Sequence, residues 1–292
     1  MIIRSEKDVT EAVLGEMHRT PSARTKELLS ALVKHLHAFV RETKLTEREF
    51  QEAIGYVNAI GQKTTPSHNE AMLLAGALGV SNLVCLTNNG VGGTRPTQAN
   101  NLGPFFRAGA PKCEDGASLL RSPTPGPELT FKGWVTDLHG KPVAGAEVDV
   151  WHSSTVGLYE NQDPTQAEMN LRGKFITRAD GSFSFTTVKP AGYPVPTDGP
   201  AGALLAAQKR HNMRPAHLHF LIYKPGFKTI ASQVYDPQDP HLDTDSQFGV
   251  TQALIGNYEE QKDGSYRLEF TFVIEPGEAR LPRAPISAKA AA

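Results

Sequence analysis

The 292-residue chain is 39% hydrophobic and 21% charged, an ordinary globular profile with room for one or two domains. Its formal net charge of −1 lacks the basic surplus that nucleic acid or an anionic membrane surface demands, so neither partner is expected. Two cysteines, Cys85 and Cys113, are too few for a disulfide framework, and the opening MIIRSEKDVTEAV holds no long apolar run. A cytoplasmic protein without membrane insertion is therefore the expectation.

Residues 1–85 carry helical patterning. Ser22 can cap a helix whose Leu28, Leu29, Leu32, Val33, Leu36, Phe39 and Val40 form an i, i+3, i+4 stripe. Thr46 with Glu49 is a capping box ahead of Phe50, Ala53, Ile54, Val57 and Ile60. Ser67 with Glu70 is a second box, leading into Met72-Leu73-Leu74-Ala75 with Gly79 as its stop. The Gly- and Asn-rich stretch 87–101 marks a crossover; it contains neither GxGxxG nor GKS/GKT, which argues against a nucleotide cofactor. Beyond it, residues 129–136 and 147–151 alternate as strands. Ala179-Asp180-Gly181 predicts a hairpin joining 174–177 to 182–187. A strand at 216–223 turns at Lys224-Pro225-Gly226 into 228–235, and 266–274 is the last. Short strands separated by turn signals, without intervening helices, predict a mainly β fold. The expected organisation is an α-helical N-terminal domain over 1–100 and a β-sandwich domain over 101–292.

In the strand 216–223, His217 and His219 are two residues apart and share a face. Two neutral imidazoles so placed can bind one transition-metal ion, unless one packs in the core and the other meets solvent. Tyr159 ends the strand-to-loop segment that begins at Trp151, and Tyr193 sits among Pro190, Pro194 and Pro196, which fix its backbone. A phenol, with an ordinary pKa of about 10, ligates as phenolate, which a trivalent oxygen-loving metal sustains at neutral pH. Spacing alone does not choose these two over Tyr223, Tyr235 or Tyr258. His152 reads as a core or hydrogen-bonded residue, and His211 and His241 lie in polar loops. Asp236, Asp239, Asp243 and Asp245 do not follow the order of a calcium loop and read as a solvated acidic loop.

Five motifs run through the chain: Leu102-Gly103-Pro104-Phe105-Phe106, Asp149-Val150-Trp151-His152, Asn170-Leu171-Arg172-Gly173, Tyr193-Pro194-Val195-Pro196-Thr197-Asp198-Gly199-Pro200 and Arg214-Pro215-Ala216-His217-Leu218-His219. Together they resemble the intradiol ring-cleavage dioxygenases, non-haem ferric enzymes that open catechols between the two hydroxyls. The helical N-terminal region is similar to that of the catechol and hydroxyquinol 1,2-dioxygenase branch. The resemblance implies Fe(III) bound by Tyr159, Tyr193, His217 and His219, with Tyr193 also acting as a base. It implies Arg214 and Gln233 against the substrate ring, and a pocket wall of Leu74, Leu102, Gly103, Pro104, Phe105, Val195 and Pro196. Substrates would be O2 and a small aromatic diol, giving a cis,cis-muconate-type diacid, or maleylacetate from hydroxyquinol. A homodimer through the N-terminal helices, with phospholipid in an apolar channel, is also implied.

Two departures bear on the substrate. Hydroxyquinol enzymes would carry an acid near Leu74 to meet the third hydroxyl, whereas Ala75, Gly76 and Ala77 follow here. Gln247 falls where an apolar pocket residue is usual, and its amide could meet a polar ring substituent. Catechol and hydroxyquinol both stay open. Outside the family, a sandwich-type binding module would keep its histidines structural and hold no iron. A zinc hydrolase would join His217 and His219 with a carboxylate.

Overall fold

A computed structural model describes residues 2–65, 68–89 and 97–286. The chain forms two compact units, Met1–Asn58 and Ala59–Ala292.

The first unit is helical: α1 (Glu6–Glu16), α2 (Ala23–Thr43) and most of α3 (Glu47–Lys63). Helix α2 starts where its cap predicts, Ser22 Oγ accepting from the Thr25 N–H at 3.2 Å. The box at α3 forms as well: the Thr46 N–H donates to Glu49 Oε2 at 2.9 Å, and the Glu49 N–H returns to Thr46 Oγ1 at 3.3 Å. The α2 stripe meets no cover within this unit. Leu28, Leu32 and Leu36 are each 52% exposed, and Phe39, Phe50 and Val57 are exposed with them.

The second unit opens with α4 (Glu70–Ala77) and α5 (Val80–Asn89). Ser67 lies outside the described residues, and the cap of α4 is Asn69, whose Oδ1 accepts from the Met72 N–H at 2.9 Å. The box expected of Ser67 with Glu70 therefore lies outside the described residues. Glu70 itself is buried, bonded to His68 at 2.6 Å and, at long range, accepting from the Ala201 N–H at 2.7 Å. Then come β1 (Glu128–Thr136), β2 (Glu147–Trp151), β3 (Arg172–Ile176), β4 (Ser182–Val188), β5 (Tyr193–Pro194), α6 (Pro200–Ala207), β6 (Met213–Arg214), β7 (His217–Tyr223), β8 (Ile230–Tyr235), β9 (Tyr258–Glu260) and β10 (Tyr266–Val273). Helix α6 breaks the expectation of strands alone. Its eight apolar or small residues, PAGALLAA, show no amphipathic period; Pro200 starts it and its cap, Gly199, lends no side chain.

Two four-stranded sheets form, in the orders β4-β1-β10-β9 and β3-β2-β7-β8. The pairings are antiparallel except β1 with β10, which is parallel. The hairpin expected at 179–181 is not one: β3 and β4 belong to different sheets, so this turn carries the chain from one layer to the other. Turn residues announce a reversal without naming its partner strand. Between the layers lies a core of closely packed phenylalanines, with ring centroids of Phe131 4.8 Å from Phe185 and 5.0 Å from Phe220, and of Phe220 4.7 Å from Phe272. Strand β7 divides its side chains by parity. Leu218, Phe220 and Ile222 enter this core, while Leu221 joins a second apolar cluster with Trp151, Tyr159 and Tyr193 on the outer face.

Candidate active site

Strand register assembles the site on that outer face. Across β7, His217 stands opposite Tyr235 and His219 opposite Gln233 on β8, while His219 also faces Trp151 on β2. The short β5–β6 ladder sets Tyr193 directly opposite Arg214. Residues 98–101 run along β8, the Asn100 N–H donating to Ala231 O at 2.8 Å and Gln233 Nε2 to Asn101 O at 2.7 Å, which delivers Gly103 to the histidines. Gly103 has φ +78°, and a Cβ there would stand 3.0 Å from His219 Cε1. Only glycine combines that backbone with so close an approach.

Tyr159, Tyr193, His217 and His219 are all at most 2% exposed and pack ring to ring. Centroids lie 5.4 Å apart for the two tyrosines, 5.6 Å for Tyr193 and His217, 4.6 Å for the two histidines and 6.4 Å for Tyr159 and His219. His217 Nδ1 donates to Pro215 O at 2.7 Å, which leaves the lone pair on Nε2, 3.0 Å from His219 Nε2. Burial, then the Arg214 charge, pushes His217 down to about 3; burial, then His217, holds His219 well below the usual imidazole range. Both rings are thus neutral and available as ligands at neutral pH. The Tyr159 hydroxyl is buried without a hydrogen-bond partner among the described residues, and burial together with the facing Tyr193 raises it well above an ordinary phenol. An orphaned buried phenol is costly unless something pairs with its oxygen.

Arg214 organises the rest. It is 3% exposed; Nε and Nη2 donate to the two Asp245 oxygens at 3.1 Å each, and Nη2 also reaches Gln233 Oε1 and Tyr235 Oη at 3.0 Å. Its Nη1 points at Tyr193 Oη, 3.5 Å away, and His217 Nε2, 3.3 Å away. Burial would discharge this arginine, but Asp245, Tyr235 and Tyr193 outweigh it and hold the guanidinium more firmly charged than usual. Asp245 corrects the solvated-loop expectation: it is 5% exposed, and Asp236 is likewise buried and paired with Lys189 at 2.7 Å. His152 is the hydrogen-bonded core residue expected, bonded to Ser153 O and Thr187 Oγ1 at 2.7 Å each.

A cavity of about 420 Å³ opens onto Tyr193 and Arg214. Leu102, Gly103, Pro104, Phe105, Val195, Pro196 and Gln247 line it as anticipated. Leu74 does not. Met72, Leu73, Ala75 and Gly76 of α4 face the space, and at about 100° per residue Leu74 falls on the opposite side, packing against the apolar cluster. Gly76 makes room for Gln247, since a Cβ there would stand 1.8 Å from Gln247 Oε1. Lining from α5, including Val84 and Cys85, and from Arg283 and Pro285 was not anticipated.

Tyr159 is braced from behind by a buried ion network. Glu160 accepts from Arg107 and, at 2.7 Å, from Arg172 Nε; Arg172 also donates to Phe105 O at 2.7 Å and lies over the Tyr159 ring at 5.8 Å. Among the described residues no three His, Cys, Asp or Glu side chains are placed to hold a metal. A zinc site of His217, His219 and a carboxylate is therefore absent among the described residues.

Residues 102–276 match the family model described as Dioxygenase, and residues 22–92 that described as Catechol dioxygenase N terminus. The chain is 41% identical over 273 residues to 6-chlorohydroxyquinol 1,2-dioxygenase of Cupriavidus pinatubonensis, covering 93% of this chain and 98% of that one. Against catechol 1,2-dioxygenase of Candida albicans it is 34% identical over 291 residues, 96% of each. The solved structure of hydroxyquinol 1,2-dioxygenase from Pseudomonas putida DLL-E4 is similar with a TM-score of 0.84 and 37% identity, covering 93% of this chain and 99% of that one. With helices ahead of two open sheets and both family models matched in order, this chain belongs to the intradiol ring-cleavage dioxygenases, in their catechol and hydroxyquinol branch.

Proposed function

We propose that this chain opens catechol or a hydroxylated catechol between its two hydroxyls, using a ferric ion held by Tyr159, Tyr193, His217 and His219. The donor set carries the reading: two buried phenols, one with an orphaned hydroxyl, meet two neutral imidazoles beside a cavity of ring-sized walls. A ferric ion held by these four side chains would supply Lewis acidity, which would sustain the phenolates and activate a bound diol toward O2. Tyr193 reaches the cavity and takes a diol proton at its Oη. Arg214, kept charged and oriented by Asp245, Gln233 and Tyr235, stabilises negative charge as it develops on the ring. Phe105, Val195 and Pro196 exclude water, which strengthens that effect. Both oxygen atoms end in the diacid, a cis,cis-muconate from catechol or maleylacetate from hydroxyquinol, and the Gln247 amide in the cavity lining supports recognition of a further ring hydroxyl.

The uncovered apolar face of α2 and α3 supports a homodimer through the N-terminal helices. The roughly 440 Å³ groove lined by Val9, Val40, Leu45 and Phe50 supports an acyl chain of a phospholipid there. A monomer by light scattering, or no lipid on organic extraction, would count against each in turn. Unpaired Cys85 and Cys113 support a reducing, cytoplasmic setting. No single helix among the described residues is long and apolar enough to cross a membrane.

The deciding experiment is a visible absorption spectrum, before and after anaerobic addition of catechol and then hydroxyquinol. A broad tyrosinate-to-iron band that moves with the diol is expected. A colourless protein that stays inert after iron reconstitution overturns the reading.

A further inference from the structure

Residues 276–286 return across the second unit as an irregular strap. Pro276 bridges Phe227, the Arg280 N–H donates to Thr229 Oγ1 at 3.0 Å, and Ile286 bridges Arg107 and is 5% exposed. Between these pins Arg283 is bracketed by Pro282 and Pro285, whose rings narrow the backbone choices on either side. Arg283 and Pro285 line the cavity that Tyr193 and Arg214 close at its inner end. Arg283 is exposed, which sets it at the mouth, and it makes no hydrogen bond or ion pair with another described residue. Among the described residues no Asp or Glu lines the cavity. The other lining arginine, Arg214, is already neutralised by Asp245. Among the described residues Arg283 is thus an uncompensated cation over a mostly apolar wall, on backbone that holds it there.

We infer that Arg283 is a recognition point for a carboxylate on the ligand, at the end of the cavity away from the diol. The inference rests on this cavity being the substrate site. A guanidinium offers a planar fork that fits a carboxylate with two parallel hydrogen bonds, and next to apolar walls such a pair is less screened than one in open water. Two ligands of the proposed reaction carry the group: a diol with a ring carboxylate, and the ring-opened diacid. For an unsubstituted diol the bound molecule enters neutral and leaves as a dianion, so Arg283 would act chiefly on product. For a carboxylated diol it would act on selection at entry.

The test compares iron-loaded wild type, R283Q, R283K and R283E. Each is titrated without oxygen by isothermal calorimetry with catechol, 3,4-dihydroxybenzoate and cis,cis-muconate, at low and high salt. R283Q is expected to weaken at least one carboxylate ligand about tenfold more than it weakens catechol, R283E to weaken it further, and R283K to restore part of the loss. Salt should shrink the difference. A loss confined to muconate assigns Arg283 to product, and one confined to dihydroxybenzoate assigns it to substrate. Equal losses for all three ligands, or no loss for either carboxylate, overturn the inference. Wild-type protein that binds none of the three sinks the functional reading and this inference together, a result separate from any difference among the variants.

Discussion

Replacing Asp245 with Asn tests the element on which the site's charge depends. The substitution keeps the side-chain shape and an oxygen for the Gly249 N–H, bonded at 2.8 Å, but removes the negative charge opposite Arg214. Both partners are at most 5% exposed, so solvent screens little. Breaking one side of a buried pair costs about 3–5 kcal/mol, because the remaining charge is stranded. At about 2–4 °C per kcal/mol for a unit of this size, D245N should melt roughly 6–20 °C below wild type. Thermal melts by circular dichroism on iron-free wild type, D245N, R214M and the double variant would show it, with the double variant recovering much of the single losses. The pH dependence has a definite sign. Burial pushes the Asp245 carboxyl up, but the Arg214 charge and the hydrogen bonds from Arg214, Gln247 and Gly249 prevail and hold it below its ordinary 3.8. Its contribution is thus complete above that value and disappears as pH falls through the lower folded-state value, so the gap between D245N and wild type should close in strong acid. A melt within 2 °C of wild type at pH 7, or strictly additive single losses, would refute the argument.

Tyr159→Phe should leave iron-free stability unchanged or raise it by about 1 kcal/mol, since the hydroxyl it removes has no hydrogen-bond partner among the described residues, while iron content and the visible band collapse; a destabilised apo protein with normal iron is the contrary result. Gly76→Ala should destabilise by about 1–3 kcal/mol and displace Gln247, read as a melt shift together with a changed ratio of hydroxyquinol to catechol affinity. His152, held neutral and pushed down to about 4 by burial, should cost stability as pH drops from 6.5, reaching about 3 kcal/mol near pH 4 because the unfolded chain binds the proton first. Replacing it with Asn should flatten that slope in urea titrations, and an unchanged slope would remove His152 as the cause.

How far the sequence could be read depended on whether the signal was local. The strand bearing His217 and His219, the Ser22 cap and the Thr46–Glu49 box are statements about neighbours within four residues, and each formed as read. Choosing Tyr159 and Tyr193 among the tyrosines required the family resemblance, because what distinguishes them is burial against His217 and His219 across more than twenty residues of chain. Asp245 is hidden for the same reason: within its own loop it is one acid among several, and only the fold brings Arg214 to it. Tyr235 had a usable signal, since it is two residues from Gln233 and period two puts both on one face. The turn at 179–181 was recognised correctly as a turn, yet which layer β4 would join was decided by pairing with β1. Helix α6 was invisible because a short apolar run has no period to detect.

The parallel pairing of β1 with β10 also sets an order of events. Leu129 aligns with Tyr266, so a loop of more than a hundred residues must close before the first sheet is whole. The other sheet needs only β2, β3, β7 and β8, all of which precede residue 236, and both histidines and the Gln233 and Tyr235 supports lie within it. On a growing chain the sheet that carries the imidazoles can therefore pair before the layer against its opposite, core-facing side is finished. The slow, long-range step falls on the layer remote from the chemistry.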